Sequence, residues 1–281
     1  MTELFCNVYC KACPLYIHSF SRKSNFFTTF PGFFTKAVVR ILERVTHLQE
    51  IQAFFEKHGD TKNWEFIDAA FEYLDFRCRV SDEDIKKIPS RGNLICVANH
   101  PLGILDGLSL LKTVGTVRRD VKIVVSDVLA PLENLKDLFL FYDLYAATMQ
   151  KKNLEKIRQS LLEGYAIIFF PAGSVAKLTV RGVREGPWRQ GPVLFSRKYG
   201  VPVLPVYIHA ENSLLYYLIT LMNSRLSTFF LPHEMFRKRS SSITLKIGDP
   251  ILKEEQGWQN IDVIAQTESL KNHVLKLGKK Q

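Results

Sequence analysis

Asn99-His100-Pro101-Leu102-Gly103-Ile104-Leu105-Asp106-Gly107 decides how this chain is read. An apolar run, Leu94-Ile95-Cys96-Val97-Ala98, precedes it and reads as a short buried strand. A second apolar run, Leu108 to Leu111, follows it and reads as the start of a helix. A histidine and an aspartate therefore stand on a Pro/Gly turn at the carboxyl end of a strand, where open α/β sheets place their reacting groups. A neutral imidazole can take a proton there from an attacking hydroxyl or amine. A carboxylate on its other ring nitrogen fixes the tautomer and stabilises the imidazolium that forms. Pro101 and Gly103 suit a turn tight enough to fold Asp106 back onto His100. The same residues also fit a loop histidine beside a helix-capping aspartate, with no chemistry attached.

Two later segments bear on that choice. Ile167-Ile168-Phe169-Phe170-Pro171-Ala172-Gly173-Ser174 is a strand running into another Pro/Gly turn. Val201-Pro202-Val203-Leu204-Pro205-Val206-Tyr207-Ile208 is a strand carrying two prolines. In this order the three motifs resemble the lysophospholipid acyltransferase (PlsC-like) superfamily, over about residues 90 to 210. Residues 101 to 105 separate His100 from Asp106. This spacing resembles the ornithine-lipid and haemolysin-type branch, and is one residue longer than in the glycerophosphate enzymes.

The resemblance implies an α/β fold, with a largely parallel sheet flanked by helices and an N-terminal helical hairpin. It implies that His100 is the general base and that Asp106 orients it. Asn99, Gly103, Pro171, Gly173, Ser174, Arg181 and Arg184 are then expected around the substrates. The implied donor is an acyl thioester on acyl carrier protein or coenzyme A, and the acceptor is a hydroxyl or amine of a membrane lipid. Neither metal nor cofactor is expected. The implied location is the cytoplasmic face of the bacterial inner membrane, as a peripheral protein on an anionic surface. The superfamily also holds an aminoacyl variant that moves glycine from a carrier protein to lipid A, a lipopolysaccharide modification in antimicrobial-peptide resistance. A non-catalytic lipid-binding protein on the same fold is a third reading.

The chain departs from the family pattern in three places. Ala172 stands where the glycerophosphate enzymes carry a glutamate, and Ser174 where the closer branch keeps an acid. No arginine motif lies between the two sites, although Lys151 or Lys152 can stand in for it. These changes count against a glycerol-3-phosphate or lysophosphatidate acceptor, and favour an amine-bearing lipid or a lipid A sugar.

Composition bounds the answer. The 281 residues are 46% hydrophobic and 23% charged, ordinary for a globular chain able to bury a substantial core. A net charge of +10 favours anionic partners: nucleic acid, anionic lipid or an acidic carrier protein. The acyltransferase resemblance selects the last two and not nucleic acid. No apolar run reaches membrane-spanning length, and Met1-Thr2-Glu3-Leu4 does not open a secretory signal. The 5 cysteines do not suggest a disulfide framework. Cys6, Cys10 and Cys13 share the spacing of an iron–sulfur triad, but no strand precedes them and no barrel repeat follows. Reduced thiols are the expectation there.

Residues 20 to 42 interleave aromatic and basic side chains, and helical spacing continues through Leu48, Ile51 and Phe55. A second helix is expected over 63 to 79, after Gly59-Asp60. We therefore expect residues 1–80 to form a helical, membrane-contacting region and 81–281 an acyltransferase-like α/β domain. In the second part, strands are expected at 94–98, 121–125, 167–170, 201–208 and 243–247. Helices are expected over 127–145, up to Gly164, over 192–199 and over 261–277. Strands alternating with helices indicate a mainly parallel sheet. Residues 177–189 read as a basic, glycine-bearing loop suited to an anionic headgroup. Residues 213–228 read as an apolar, tyrosine-rich patch that either touches lipid or packs in the core.

Overall fold

The run Leu94–Ala98 has no side chain that wants water, and it becomes the middle strand of a seven-stranded sheet, buried along its whole length. The structure is a computed structural model that describes residues 47–142, 147–180, 182–222, 227, 230–252 and 262–279. In chain order, α1 (Leu48–His58) and α2 (Asn63–Tyr73) lead to edge strand β1 (Arg77–Arg79) and a single turn, α3 (Asp82–Ile85). Then come β2 (Leu94–Ala98), α4 (Ile104–Gly115) and β3 (Val121–Ser126). Two 3₁₀ segments, Asp127–Leu129 and Glu133–Leu138, precede β4 (Phe139–Tyr142), α5 (Ala147–Leu162) and β5 (Ala166–Phe169). A hairpin of β6 (Lys177–Thr179) and β7 (Gly182–Arg184) is followed by α6 (Gly191–Tyr199) and β8 (Val203–His209). The remaining elements are α7 (Leu214–Met222), α8 (Leu231–Arg237), β9 (Ser242–Ile247) and α9 (Val263–Leu277).

The sheet order is β1-β9-β8-β2-β5-β3-β4. Every pairing in it is parallel except β8 with β9. The expected mixed α/β architecture with a largely parallel sheet is therefore what forms. The register sets Val97 beside Phe169 of β5 and beside Pro205 of β8. Side chains alternate between faces along a strand, so the sheet builds two cores. Leu94, Cys96 and Ala98 pack with α1, α2, α4 and Phe236 of α8. Ile95 and Val97 pack with Ile157 and Leu161 of α5, Val193 of α6, and Leu270 and Val274 of α9. In the described part of 1–80, Ile51, Phe54, Phe66, Ile67 and Phe71 sit in the first of these cores.

Three elements differ from the sequence reading. The helix expected over 63–79 stops at Tyr73: Asp75 takes a left-handed φ of 43°, and the Phe76 N–H closes back on the Phe71 carbonyl. Arg77-Cys78-Arg79 then alternates at period two and forms an edge strand with its arginines outward, which discourages pairing with another chain. The helix expected over 127–145 is replaced by 3₁₀ turns around Pro131 and by β4, because the aromatic run Phe139–Tyr142 finds β3 as a partner. The basic loop is in part a hairpin, with Leu178 paired to Val183. Residues 20–42, and Cys6, Cys10 and Cys13, lie outside the described residues.

One close approach fixes how α2 meets α4. A Cβ added at Gly115 would lie 2.5 Å from Cζ3 of Trp64. Helix propensity alone would make Gly115→Ala stabilising by up to about 1 kcal/mol. The clash reverses that sign, and we expect a loss of about 1–3 kcal/mol in urea unfolding.

Candidate active site

The carboxyl end of β2 delivers Asn99 and His100, and the neighbouring strands hold them. The Asn99 amide is clamped to β8: its Nδ2 donates to the Ile208 carbonyl at 3.0 Å, and its Oδ1 accepts the Ile208 N–H at 2.7 Å. Asn99 is thus a brace for the turn. The His100 N–H donates to Oε1 of Glu185, and its carbonyl accepts from Ala176 N at 3.1 Å. Its ring stacks on Phe170 with centroids 4.2 Å apart. Main chain and ring are therefore both held before any substrate arrives.

Asp106 lies in the first turn of α4 and is fully buried. Its Oδ2 accepts the N–H of Leu102 at 2.7 Å and of Gly103 at 2.9 Å. The same oxygen is 3.0 Å from His100 Nδ1, at ion-pair distance though off the line of a well-aligned hydrogen bond. Such bonds often tighten only when substrate binds. Gly103 makes this convergence possible. Its φ of 86° with ψ of −122° is closed to residues with a side chain, and it turns two consecutive N–H groups onto one carboxylate. The Gly103 N–H is thereby committed to Asp106. Burial pushes the Asp106 carboxyl above its ordinary value, against the lowering pull of His100 and of the two backbone N–H groups.

His100 Nδ1 is itself buried, so the 18% of the side chain that remains exposed lies away from Asp106. Nε2 is left as the ring nitrogen able to meet a substrate. An imidazole with one nitrogen against a buried carboxylate and the other toward solvent can accept a proton, and can return it. Among the described residues no group of His, Cys, Asp and Glu could hold a metal ion. Burial pushes the Cys96 thiol up to about 12 and the Cys78 thiol up to about 11, so neither is a ready nucleophile.

The turn after β5 lies beside this dyad. Gly173 N–H closes it on the Phe170 carbonyl at 3.0 Å, with Gly173 at φ 64°. Pro171 is buried and accepts the Arg189 N–H at 2.9 Å. Ser174 is half-buried in the same turn. Arg184 is exposed on β7, and Arg181 lies outside the described residues.

Three residues carry more of the site than the sequence reading gave them. Glu185 joins His100 to Trp188, whose Nε1 donates to Oε2 at 2.9 Å. The Arg189 side chain lies so close over the turn that a Cβ at Gly173 would stand 3.2 Å from its Nε. Asn212 donates from Nδ2 to the Pro101 carbonyl at 2.8 Å. The one local signal was an acid and a tryptophan, Glu185 and Trp188, set in an otherwise basic stretch; nothing local marked Asn212.

Four likenesses to known proteins are found. Residues 21–276 match the family described as acyltransferase. The lyso-glycine lipid O-acyltransferase of Bacteroides thetaiotaomicron is 28% identical over 235 residues, covering 81% of this chain and 83% of the relative. The protein of the same name from Phocaeicola vulgatus is 27% identical over 236 residues, covering 80% of each. In fold, the chain is similar to the 1-acyl-sn-glycerophosphate (LPA) acyltransferase PlsC from Thermotoga maritima. The TM-score is 0.50 at 18% identity, covering 99% of this chain and 94% of that one.

Burial pushes the Glu185 carboxyl above its ordinary 4.5, against the pull of Trp188 and the His100 N–H. A carboxyl raised in the folded state favours folding below its unfolded value, and that advantage is lost as pH rises through the folded one. Glu185→Gln removes the titration. Its stability relative to the parent chain should therefore improve as pH climbs from about 4.5 towards neutrality, read as the difference in denaturation midpoint across a pH series.

Proposed function

The chain belongs to the acyltransferase family, and from that premise we propose that it moves an acyl group from a thioester to a hydroxyl of a lyso-lipid whose headgroup is an amino acid. The observation that carries the reading is the His100 imidazole set 3.0 Å from the buried Asp106 carboxylate at the end of the central strand. Asp106 keeps the proton on Nδ1, which leaves the Nε2 lone pair for the acceptor. His100 Nε2 takes the hydroxyl proton as the acceptor oxygen attacks the thioester carbonyl. The tetrahedral oxyanion collapses, the C–S bond breaks, and the proton passes from Nε2 to the departing thiolate. An ester and a free thiol result, with no covalent enzyme intermediate. Backbone N–H groups at the amino end of α4 are the candidate oxyanion donors, since helix N-termini favour negative charge.

O-acylation of an amino-acid lipid is favoured by the two relatives, both named lyso-glycine lipid O-acyltransferase. Ala172 and Ser174, where acids stand in other branches, point the same way. Acyl carrier protein or coenzyme A suits the donor role, and a chain of net charge +10 suits an acidic carrier. Asn99 and Gly103 act through the turn. Pro171, Gly173, Ser174 and Arg184 flank the acceptor, and Arg181 belongs to the same stretch. A peripheral position on the cytoplasmic face of the inner membrane brings carrier and acceptor together. No helix among the described residues is long and apolar enough to cross a membrane. Transfer of glycine to lipid A would use the same dyad and differs in the mass it adds.

Lipid mass spectrometry of a deletion host expressing the parent chain or His100→Ala tests the reading. The parent should add one fatty-acyl mass to an amino-acid lipid, and His100→Ala should add none. With purified protein, Asp106→Asn should slow thiol release on the order of 10³- to 10⁴-fold. One amino-acid mass gained on lipid A would select glycyl transfer, and identical profiles would overturn the mechanism.

A further inference from the structure

We propose that the outward face of α7, with the tip of the β6–β7 hairpin, is the surface that docks the protein on an anionic lipid bilayer. This rests on the lipid-acyltransferase reading above. The helix reads Leu-Leu-Tyr-Tyr-Leu-Ile-Thr-Leu-Met from 214 to 222 and carries no charged side chain. Tyr216, Tyr217 and Thr220 turn inward and are buried. Leu214, Leu215, Leu218, Leu221 and Met222 fall on one face at helical spacing, and their exposure runs from 47% at Leu218 to 84% at Met222. The hairpin against which α7 packs adds exposed Val180 and Val183, and the Leu178 N–H donates to Thr220 Oγ1 at 3.4 Å. An apolar patch of this kind marks an interaction site, since water gains nothing from it.

Three observations favour a bilayer as the occupant. The first is continuity with the dyad. Asn212, whose amide holds the Pro101 carbonyl, donates its own N–H to the Tyr217 hydroxyl at 3.1 Å. Val175 and Leu231, packed with Tyr216 and Tyr217, lie 3.5 Å from where a Gly103 Cβ would stand. The helix that carries the patch therefore packs its inner face beside the catalytic turn, where a lipid acceptor must arrive. The second is charge: Lys177, Arg184 and Arg237 lie on the elements around α7 and Lys238 just past the end of α8, against the exposed acid Glu211. Basic side chains flanking an apolar helix face are drawn to anionic lipid. The third is composition. Leucine and methionine dominate the face, and it lacks the tryptophan and arginine anchors typical of a protein hot spot.

The full chain is spun down with vesicles of phosphatidylglycerol and phosphatidylethanolamine. Leu215→Glu with Leu218→Glu should lower vesicle partition at least about tenfold. The same variant should keep the parent's turnover of a short-chain thioester and a water-soluble lyso acceptor. His100→Ala should lose that turnover and bind vesicles as the parent does. Leu218→Trp, a milder change, should be quenched by brominated lipid beyond the background of the 3 native tryptophans. Undiminished binding of the double variant would overturn the proposal. So would vesicle-bound Leu218→Trp protein showing no quenching beyond that background, the result expected if residues 1–46 or another protein cover the face. Equal binding to phosphatidylcholine vesicles would overturn the anionic preference. Binding through α7 with no lipid acylated in any host would sink the acyltransferase reading and leave the docking surface standing.

Discussion

A carboxylate with no access to water must be held by donors, and the Asp106 carboxylate is held by the backbone of the turn it shapes. Leu102 and Gly103 N–H groups converge on one oxygen, and the His100 ring meets that oxygen from the other side. Every neighbouring choice follows from this. The strand must end at Ala98 so that His100 faces back. Gly103 must be a glycine, because its backbone lies in a region closed to side chains. The helix must begin at Ile104, so that Asp106 falls in its first turn where negative charge is favoured.

The rest of the sheet works as a frame for this arrangement. Strands β5 and β8 flank β2, so the Phe170 stack comes from one side and the Ile208 clamp on Asn99 from the other. Glu185 reaches the His100 N–H from beyond the hairpin. These are contacts between segments about 70 to 110 residues apart in the chain, and the two cores on the sheet faces hold together the strands that make them. A side chain carried on such a frame has little freedom left to lose on binding a substrate, which is how geometry can lower a barrier.

The fold was legible where one short segment carried its own answer. Leu94–Ala98 and Ile167–Phe169 are apolar at every position, so burial on both faces was the economical solution. The reading failed where a neighbour outweighed local periodicity. Phe139–Tyr142 continues a helical apolar pattern yet pairs with β3, because a free strand edge gains more from a new strand than from a helix lying beside it. Residues 74–79 carry helical spacing up to Leu74, but the left-handed Asp75 ends the helix and hands the chain to β1. The apolar segment 213–228 was open between core and lipid. The structure divides α7 itself, tyrosines inward and leucines outward.

The sequence by itself determined the His100-to-Asp106 pairing, because residues that contact within one turn are set by their spacing and by a glycine that only one backbone region suits. It also determined the parallel sheet, through apolar strands alternating with helices. Only the tertiary structure decided that Glu185, Trp188, Arg189 and Asn212 belong to the site, and that Asn99 serves β8. Apart from the Glu185–Trp188 bond, their partners lie far along the chain, and no local pattern records a contact that exists only after the sheet has closed around β2. The same holds for the outward leucines of α7. Helical spacing says which residues share a face, but which face meets water is settled by what the other one packs against.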